Sequence, residues 1–340
     1  MKITFIIPVY NCKEFLPACV DSIRAVGMED YEILLIDDGA TDGSGALCDE
    51  LAVRFPEVRV VHQENGGASA ARNRGIREAA GELLLFIDAD DSIDPTVLHD
   101  VLTDPRCQEA DLTVFGMSSD YYRKGECYQR ALLYFDFDGV MDQKYWGNVL
   151  MQLFRSNTLS SMCTKVFKRE IIQAEELRLD GSMFLYEDLE FVLRYLRHCD
   201  TIWNVPRAIY HYRQSENEGH ARNRVKRIGS ISAYLHPIEM ALESLPETVN
   251  KTDSAAVLQL LYAILARDKV IVSDLDGIRE VCRDFCRWAE NRWLPLEPDV
   301  FQKRLLGEKA AAIYLACRKS MLRHWVAVRV KAFLGRIKNT

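Results

Sequence analysis

GELLLFIDADDSIDP (81–95) holds a strand, a knot of carboxylates and a helix start within fifteen residues. The apolar run ELLLFID (82–88) is nearly continuous, as expected of a strand covered on both faces. Asp94 followed by Pro95 is an N-cap and a first-turn proline, which start a helix. Between them lie Asp88, Asp90 and Asp91. Three carboxylates this close repel one another and resist ionising together unless a cation neutralises them. Mg²⁺ or Mn²⁺ suits oxygen ligands and is held by one or two carboxylates plus substrate phosphates. The plainer reading, a solvated turn ahead of a helix, leaves the triplet without a purpose, because Asp94 already serves as the cap.

The same alternation runs outward from this stretch. KITFIIPV (2–9), YEILLID (31–37), VRVVHQ (58–63) and DLTVFGM (111–117) read as further strands. Helices are expected through about Val26, from a Thr41/Asp42 cap to about Phe55, and over roughly 68–80 up to Gly81. Repeated β-α-β units predict an α/β fold with a mainly parallel sheet flanked by helices. TKVFKREII (164–172) reads as a strand running into a helix, YEDLEFVLRYL (186–196) as an amphipathic helix, and IWNVPRAIYHYR (202–213) as a strand. From about Arg222 the pattern is helical, broken by Pro246, Pro295 and Pro298.

Ligands on such sheets bind beyond the carboxyl ends of the strands. The residues there are Tyr10 and Asn11, Asp37 and Asp38, Gly66 and Gly67, and the Asp88–Asp91 group. Asp37 and Asp38 are placed to accept from a nucleobase N–H or a ribose hydroxyl, or they are turn formers. Gly66-Gly67 ahead of a helix permits close backbone approach to an anion, with Arg72 one turn inside. Glu187-Asp188 opens a helix, where acids suit the dipole or supply a general base. In YHYR (210–213) alternation puts Tyr210 and Tyr212 on one face, with His211 and Arg213 on the other. The latter pair are candidates to stabilise a diphosphate, or are structural.

PVYN (8–11), EILLIDDGATDGS (32–44), NGGASAARNRG (65–75), GELLLFIDADD (81–91), KVFKRE (165–170), YEDLEF (186–191) and YHYR (210–213) together resemble the inverting family 2 glycosyltransferases of GT-A fold. They occur in that family's order and approximate spacing. Ala40, where the family usually has Ser, is a small departure. The resemblance implies a catalytic domain over 1–215, followed by a helical region over 216–340. It implies that Pro8, Tyr10, Asn11, Asp37 and Asp38 surround a nucleotide, most often uridine, with Gly67, Arg72, Ala89, His211 and Arg213 also on the donor. It makes Asp88 and Asp90 the DxD motif, with metal held among Asp88, Asp90 and Asp91. Asp188, beside Glu187, becomes the base, and Lys165 falls on the acceptor side. The implied reaction moves a sugar from a nucleotide diphosphate donor, UDP first among them, to a hydroxyl of a glycan or lipid-linked acceptor in cell-surface polysaccharide synthesis. A nucleotidyltransferase, or a silent nucleotide-sugar-binding scaffold, are the competing readings. A dinucleotide-binding module is excluded, since no GxGxxG follows the first strand.

The chain carries −7 overall, yet residues 301–340 hold ten Lys/Arg against Glu308 alone, a net +9 that leaves −16 on residues 1–300. That balance argues against nucleic-acid binding and assigns the basic end to an anionic membrane surface, the catalytic domain or a homodimer partner. Its apolar residues form no clean stripe of the kind a membrane-surface helix shows. The ten cysteines contain no CxxC pair and read as reduced thiols, with Cys282 and Cys286 as packing residues. With no spanning run and no signal peptide, a cytoplasmic protein at the inner membrane face is the expectation.

Overall fold

The computed structural model describes residues 2–143, 150–215 and 227–246, together with Leu258, Leu261 and Leu265. The basic end 301–340, Cys282, Cys286, Pro295 and Pro298 lie outside these residues. So do the membrane and dimer contacts assigned to that end.

The strands are β1 (Ile3–Val9), β2 (Tyr31–Asp37), β3 (Val58–His62), β4 (Leu83–Phe86), β5 (Ser92–Ile93), β6 (Leu112–Arg123), β7 (Glu126–Leu133), β8 (Gly139–Asp142), β9 (Lys165–Lys168) and β10 (Thr201–Ser215). The helices are α1 (Leu16–Arg24), α2 (Ser44–Arg54), α3 (Ala68–Glu78), α4 (Pro95–Thr103), α5 (Pro105–Glu109), α6 (Leu150–Arg155), α7 (Arg169–Ala174), α8 (Glu187–Leu196) and α9 (Ile231–Glu243). One sheet runs β3-β2-β1-β4-β9-β6-β10-β5, with β7 on β6 and β8 on β10. The pairs among β1–β4 are parallel, as is β6 with β10. β9 enters antiparallel between β4 and β6. This is the mixed, mainly parallel α/β sheet that the sequence predicts.

The apolar runs are buried as a two-sided sheet requires. Phe5, Ile6 and Ile7 of β1 and Ile33 to Ile36 of β2 have no exposed surface. α3 packs on β1 and β2 so closely that a Cβ on Gly75 would stand 2.2 Å from Ile6 Cγ2, so only glycine fits there. Asp94 caps α4 by accepting from Val97 N at 3.0 Å. α2 starts one to two residues later than the Thr41/Asp42 pair suggests, with Gly43 at the cap. Asp42 accepts from Ser44 N instead.

Two features position the site. Phe167 of β9 meets Phe86 of β4, Phe191 and Tyr195 of α8 at ring-centroid distances of 5.7, 5.9 and 5.0 Å. Edge contacts of this kind contribute about 0.5–1.5 kcal/mol each beyond burial. They lock the strand that ends in the carboxylate triplet against the helix that opens with Glu187-Asp188. The second is length. β6 and β10 have 12 and 15 residues, against 7, 7, 5 and 4 for β1–β4. Their far halves pair at His211↔Ser118 and Arg213↔Asp120, and His211 also pairs with Ser92 of β5 just after the triplet.

Contacts group residues 1–218 with 238–254 as one compact unit, and 219–237 with 255–340 as a second. Among the described residues no helix is long and apolar enough to cross a membrane, and the cysteines there are free thiols.

Candidate active site

The loops after β1 and β2 are joined by hydrogen bonds. Thr41 N donates to Asn11 Oδ1 (2.8 Å), Cys12 N to Ser44 Oγ (3.0 Å) and Lys13 N to Asp42 Oδ2 (3.1 Å). Asn11 adopts φ +53°, a left-handed conformation that asparagine tolerates better than most residues. Beside it Tyr10 is 49% exposed, while Pro8 is half-buried.

Asp37 and Asp38 are turned inward. Asp37 Oδ1 accepts from Ala40 N (3.0 Å), and its Oδ2 lies 2.8 Å from His62 Nδ1. Asp38 is buried and accepts from Gln63 Nε2 (2.7 Å), Gly66 N (2.8 Å) and Gly67 N (2.8 Å). Gly67 has φ +84°, a conformation costly for side-chain-bearing residues. Both acids therefore hold loops, and Asp38 fixes the entry to α3.

One turn into α3 lies Arg72, 5% exposed. Its guanidinium spans two segments: Nη2 donates to Asp88 Oδ1 (2.7 Å) and Nη1 to Asp188 Oδ1 (3.1 Å). Its Nε is buried with no hydrogen-bond partner among the described residues. Met162 N donates to the other Asp188 oxygen at 3.4 Å. Burial raises the proton affinity of Asp188, the Arg72 charge pulls it back, and the net direction is upward. A carboxylate displaced this way is a stronger base than one in water. Its helix is capped by Tyr186, which is left-handed at φ +64°, a strained choice for a residue of this size. Glu187 is half-buried beside it.

The triplet separates into distinct environments. The Asp88 side chain is 37% exposed and Asp90 is exposed, whereas Ala89 and Asp91 are buried. Asp91 accepts from the Tyr210 hydroxyl and from Arg213 N (2.7 Å). The Tyr210 hydroxyl also takes part in a 3.1 Å contact as acceptor from Asp88 N. Burial, with the charges of Asp88 and Asp90, holds the Asp91 carboxyl well above the usual carboxylate range. Asp91 thus points into the protein, both oxygens engaged, whereas Asp88 and Asp90 present surface.

His211 Nδ1 lies 3.2 Å from Asp120 Oδ2. The Arg213 guanidinium carbon lies 3.7 Å from the Tyr122 ring centroid and 4.8 Å from that of Phe15. A guanidinium held against aromatic rings still carries N–H donors suited to planar or multi-oxygen anions.

Lys165, read from the sequence as lying on the acceptor side, is turned into the protein. It is 1% exposed and its ammonium donates to the carbonyls of Thr158 and Ser161, fixing the turn whose Met162 N–H meets Asp188. Burial lowers its pKa to about 7. Between that value and the ordinary lysine range the unfolded chain binds the extra proton, so this group makes stability rise with pH across that window. Urea unfolding at pH 7, 8 and 9 is expected to show a shallower pH slope for Lys165→Met than for the unmodified chain. Equal slopes would contradict this placement.

The site therefore unites Asp88, Asp188 and Arg72 through direct contacts and sets Asp90 and Arg213 beside them. Tyr210, Asp120 and the Met162 amide did not emerge from the sequence as site residues. Tyr210 was marked only by its place in the alternation of YHYR.

The glycosyl transferase family 2 sequence model matches residues 4–172. The uncharacterized glycosyltransferase EpsJ of Bacillus subtilis (strain 168) is 26% identical over 215 residues, covering 63% of this chain and 62% of its own length. The chain thus spans less than two-thirds of that relative. The minor teichoic acid biosynthesis protein GgaB of the same organism is 23% identical over 279 residues, 79% of this chain and 29% of its own. Among solved structures, residues 1–349 of S. aureus TarS in complex with UDP-GlcNAc superpose with a TM-score of 0.69 at 16% identity, covering 96% of this chain and 92% of that one. At that identity the likeness speaks for the fold.

Proposed function

Because this chain belongs, through residues 4–172, to glycosyl transferase family 2, we propose that it transfers a sugar from a UDP-sugar to a hydroxyl of a glycan or lipid-linked acceptor, with inversion at the anomeric carbon. The observation that carries the reading is Arg72, which brings Asp88 and Asp188 within the reach of one guanidinium. Segments 100 residues apart in sequence, Asp88 and Asp188, thereby meet at the carboxyl edge of the sheet, where such folds bind ligands.

Exposed Tyr10, with Pro8 and Asn11, borders the nucleoside. Arg213, held on its rings, meets the diphosphate. Asp188 accepts the proton of the attacking hydroxyl. The oxygen forms its bond to the anomeric carbon as the bond to phosphate breaks, and the electron pair leaves with UDP. Attack from the face opposite the leaving group inverts the carbon. The acceptor class draws support from the teichoic acid role named for GgaB, and the UDP-sugar from the TarS complex.

Asp88 and Asp90 fit Mn²⁺ or Mg²⁺ by chemistry. They are carboxylates with exposed surface, and such ions take one or two of these plus phosphate oxygens. Among the described residues no group of three or more His, Cys, Asp or Glu is placed to hold a metal ion by itself. When bound, it supplies charge neutralisation for the leaving diphosphate. Asp91 serves here as a positioning residue, tying the loop to Tyr210 and Arg213.

Calorimetry with UDP tests this reading. Mn²⁺ is expected to tighten UDP binding on the order of tenfold or more, about 1.4 kcal/mol, and Asp90→Ala is expected to lose that gain. A variant with the full Mn²⁺ effect sinks the assignment.

A further inference from the structure

Asp120 is buried in the far half of β6, 3% exposed. Its carboxyl gathers groups from three strands: Ser118 Oγ of β6 donates to Oδ1, Arg130 Nε of β7 lies 3.4 Å from Oδ2, and His211 Nδ1 of β10 lies 3.2 Å from Oδ2. Arg130 can only donate, and a carboxylate that accepts from it and from Ser118 pairs with His211 through the tautomer that carries its hydrogen on Nδ1. The His211 side chain is 28% exposed. One edge of its ring is therefore held against a buried anion, while surface remains on the rest. His211 pairs with Ser92, next to the Asp88–Asp91 turn. Two residues on, Arg213 N binds Asp91.

We propose that Asp120 is the positioning residue for His211, fixing its ring and tautomer so that the Nε2 edge meets the diphosphate of the donor. The proposal rests on the donor reading above. A buried carboxylate behind an imidazole sets which nitrogen is presented and how the ring is aimed.

The test uses the full chain with UDP and MnCl₂ in calorimetry, so the transferred sugar need not be known. Asp120→Asn and His211→Ala are each expected to weaken UDP binding by roughly tenfold, the low end for such supporting carboxylates. The double variant is expected to bind no more weakly than His211→Ala alone, because the effect of Asp120 passes through that ring. Ser118→Ala, which loosens the same ribbon but leaves the His211 contact, should stay within about twofold. In the unmodified chain, long-range ¹H–¹⁵N NMR should show hydrogen on His211 Nδ1, a readout independent of whether any variant folds.

Normal UDP affinity in Asp120→Asn or in His211→Ala overturns the proposal. So do losses that multiply in the double variant, a Ser118→Ala loss equal to that of Asp120→Asn, or a neutral His211 protonated only on Nε2. These outcomes leave the donor reading intact as long as the unmodified chain binds UDP with Mn²⁺. An unmodified chain that does not bind UDP with Mn²⁺ overturns both.

Discussion

Asp188→Asn is expected to lower sugar transfer by about 10²–10⁴-fold, the range a positioned general base contributes, while UDP affinity stays within a few-fold of the unmodified chain. The substitution is nearly isosteric. An amide oxygen can still accept from Arg72 or from Met162 N, the two groups that hold the carboxylate at 3.1 and 3.4 Å. What it loses is basicity, since an amide does not take up a proton near neutral pH. The groups proposed for the nucleoside and diphosphate, Tyr10, Asn11 and Arg213, are not bonded to Asp188, so donor binding has no direct reason to change. The raised proton affinity of Asp188 adds a second signature. Transfer by the unmodified chain should fall as pH drops through the pKa of this group, and that acid limb should be missing from the residual rate of the variant. Comparing rates over a pH series, with UDP binding measured on the same preparations, checks both points. Near-normal transfer would remove Asp188 from the base role, and a parallel collapse of UDP binding would make it a donor residue instead.

The sheet was legible because its central strands are buried on both faces. In YEILLID and ELLLFID the apolar residues run on almost without interruption, and Asp94-Pro95 marks a helix start by its own chemistry. Strands β7 and β8 escaped because ECYQRALL is largely exposed on an outer ribbon, and GVMD is too short to show a period. That β9 runs antiparallel between β4 and β6 was equally hidden, for KVFK encodes burial but neither direction nor neighbour. The site shows the same division. Strand ends announced Asp88, Asp90 and the loop acids, because acids there have no role in packing. Which of them face inward was not legible. Asp38 spends its oxygens on two glycine amides, Asp91 on Tyr210 and a backbone N–H, and Lys165 on two carbonyls. Each of these partners lies 4 to 122 residues away in the chain, and only the folded arrangement reveals it.

Arg72 is where that arrangement is most exposed to test. Its place near a helix start suggests a donor-side group that reaches a phosphate or the base, and the fold makes it a bridge between Asp88 and Asp188, with 6% of its side chain exposed. Removing one partner from a buried charge network leaves the others uncompensated and costs about 3–5 kcal/mol. Asp88 is 37% exposed and Asp188 20%, so water screens part of the loss and the lower end, about 3 kcal/mol, applies to Arg72→Met. For a unit of this size that lowers the melting midpoint by roughly 6–12 °C. Turnover should fall with it, because the base and the first acid of the triplet would repel and move apart. Arg72→Lys separates charge from shape. A lysine restores one positive charge and should recover much of the stability. Its compact ammonium cannot reproduce a planar fork whose two ends bind different carboxylates. Transfer in the lysine variant is therefore expected to stay at least tenfold below normal, since one carboxylate is left unaimed. Melting curves and rates for the two variants decide the matter together. A lysine variant with full activity would show that charge alone suffices, and a methionine variant as stable as the parent would show that Arg72 does not hold these segments together.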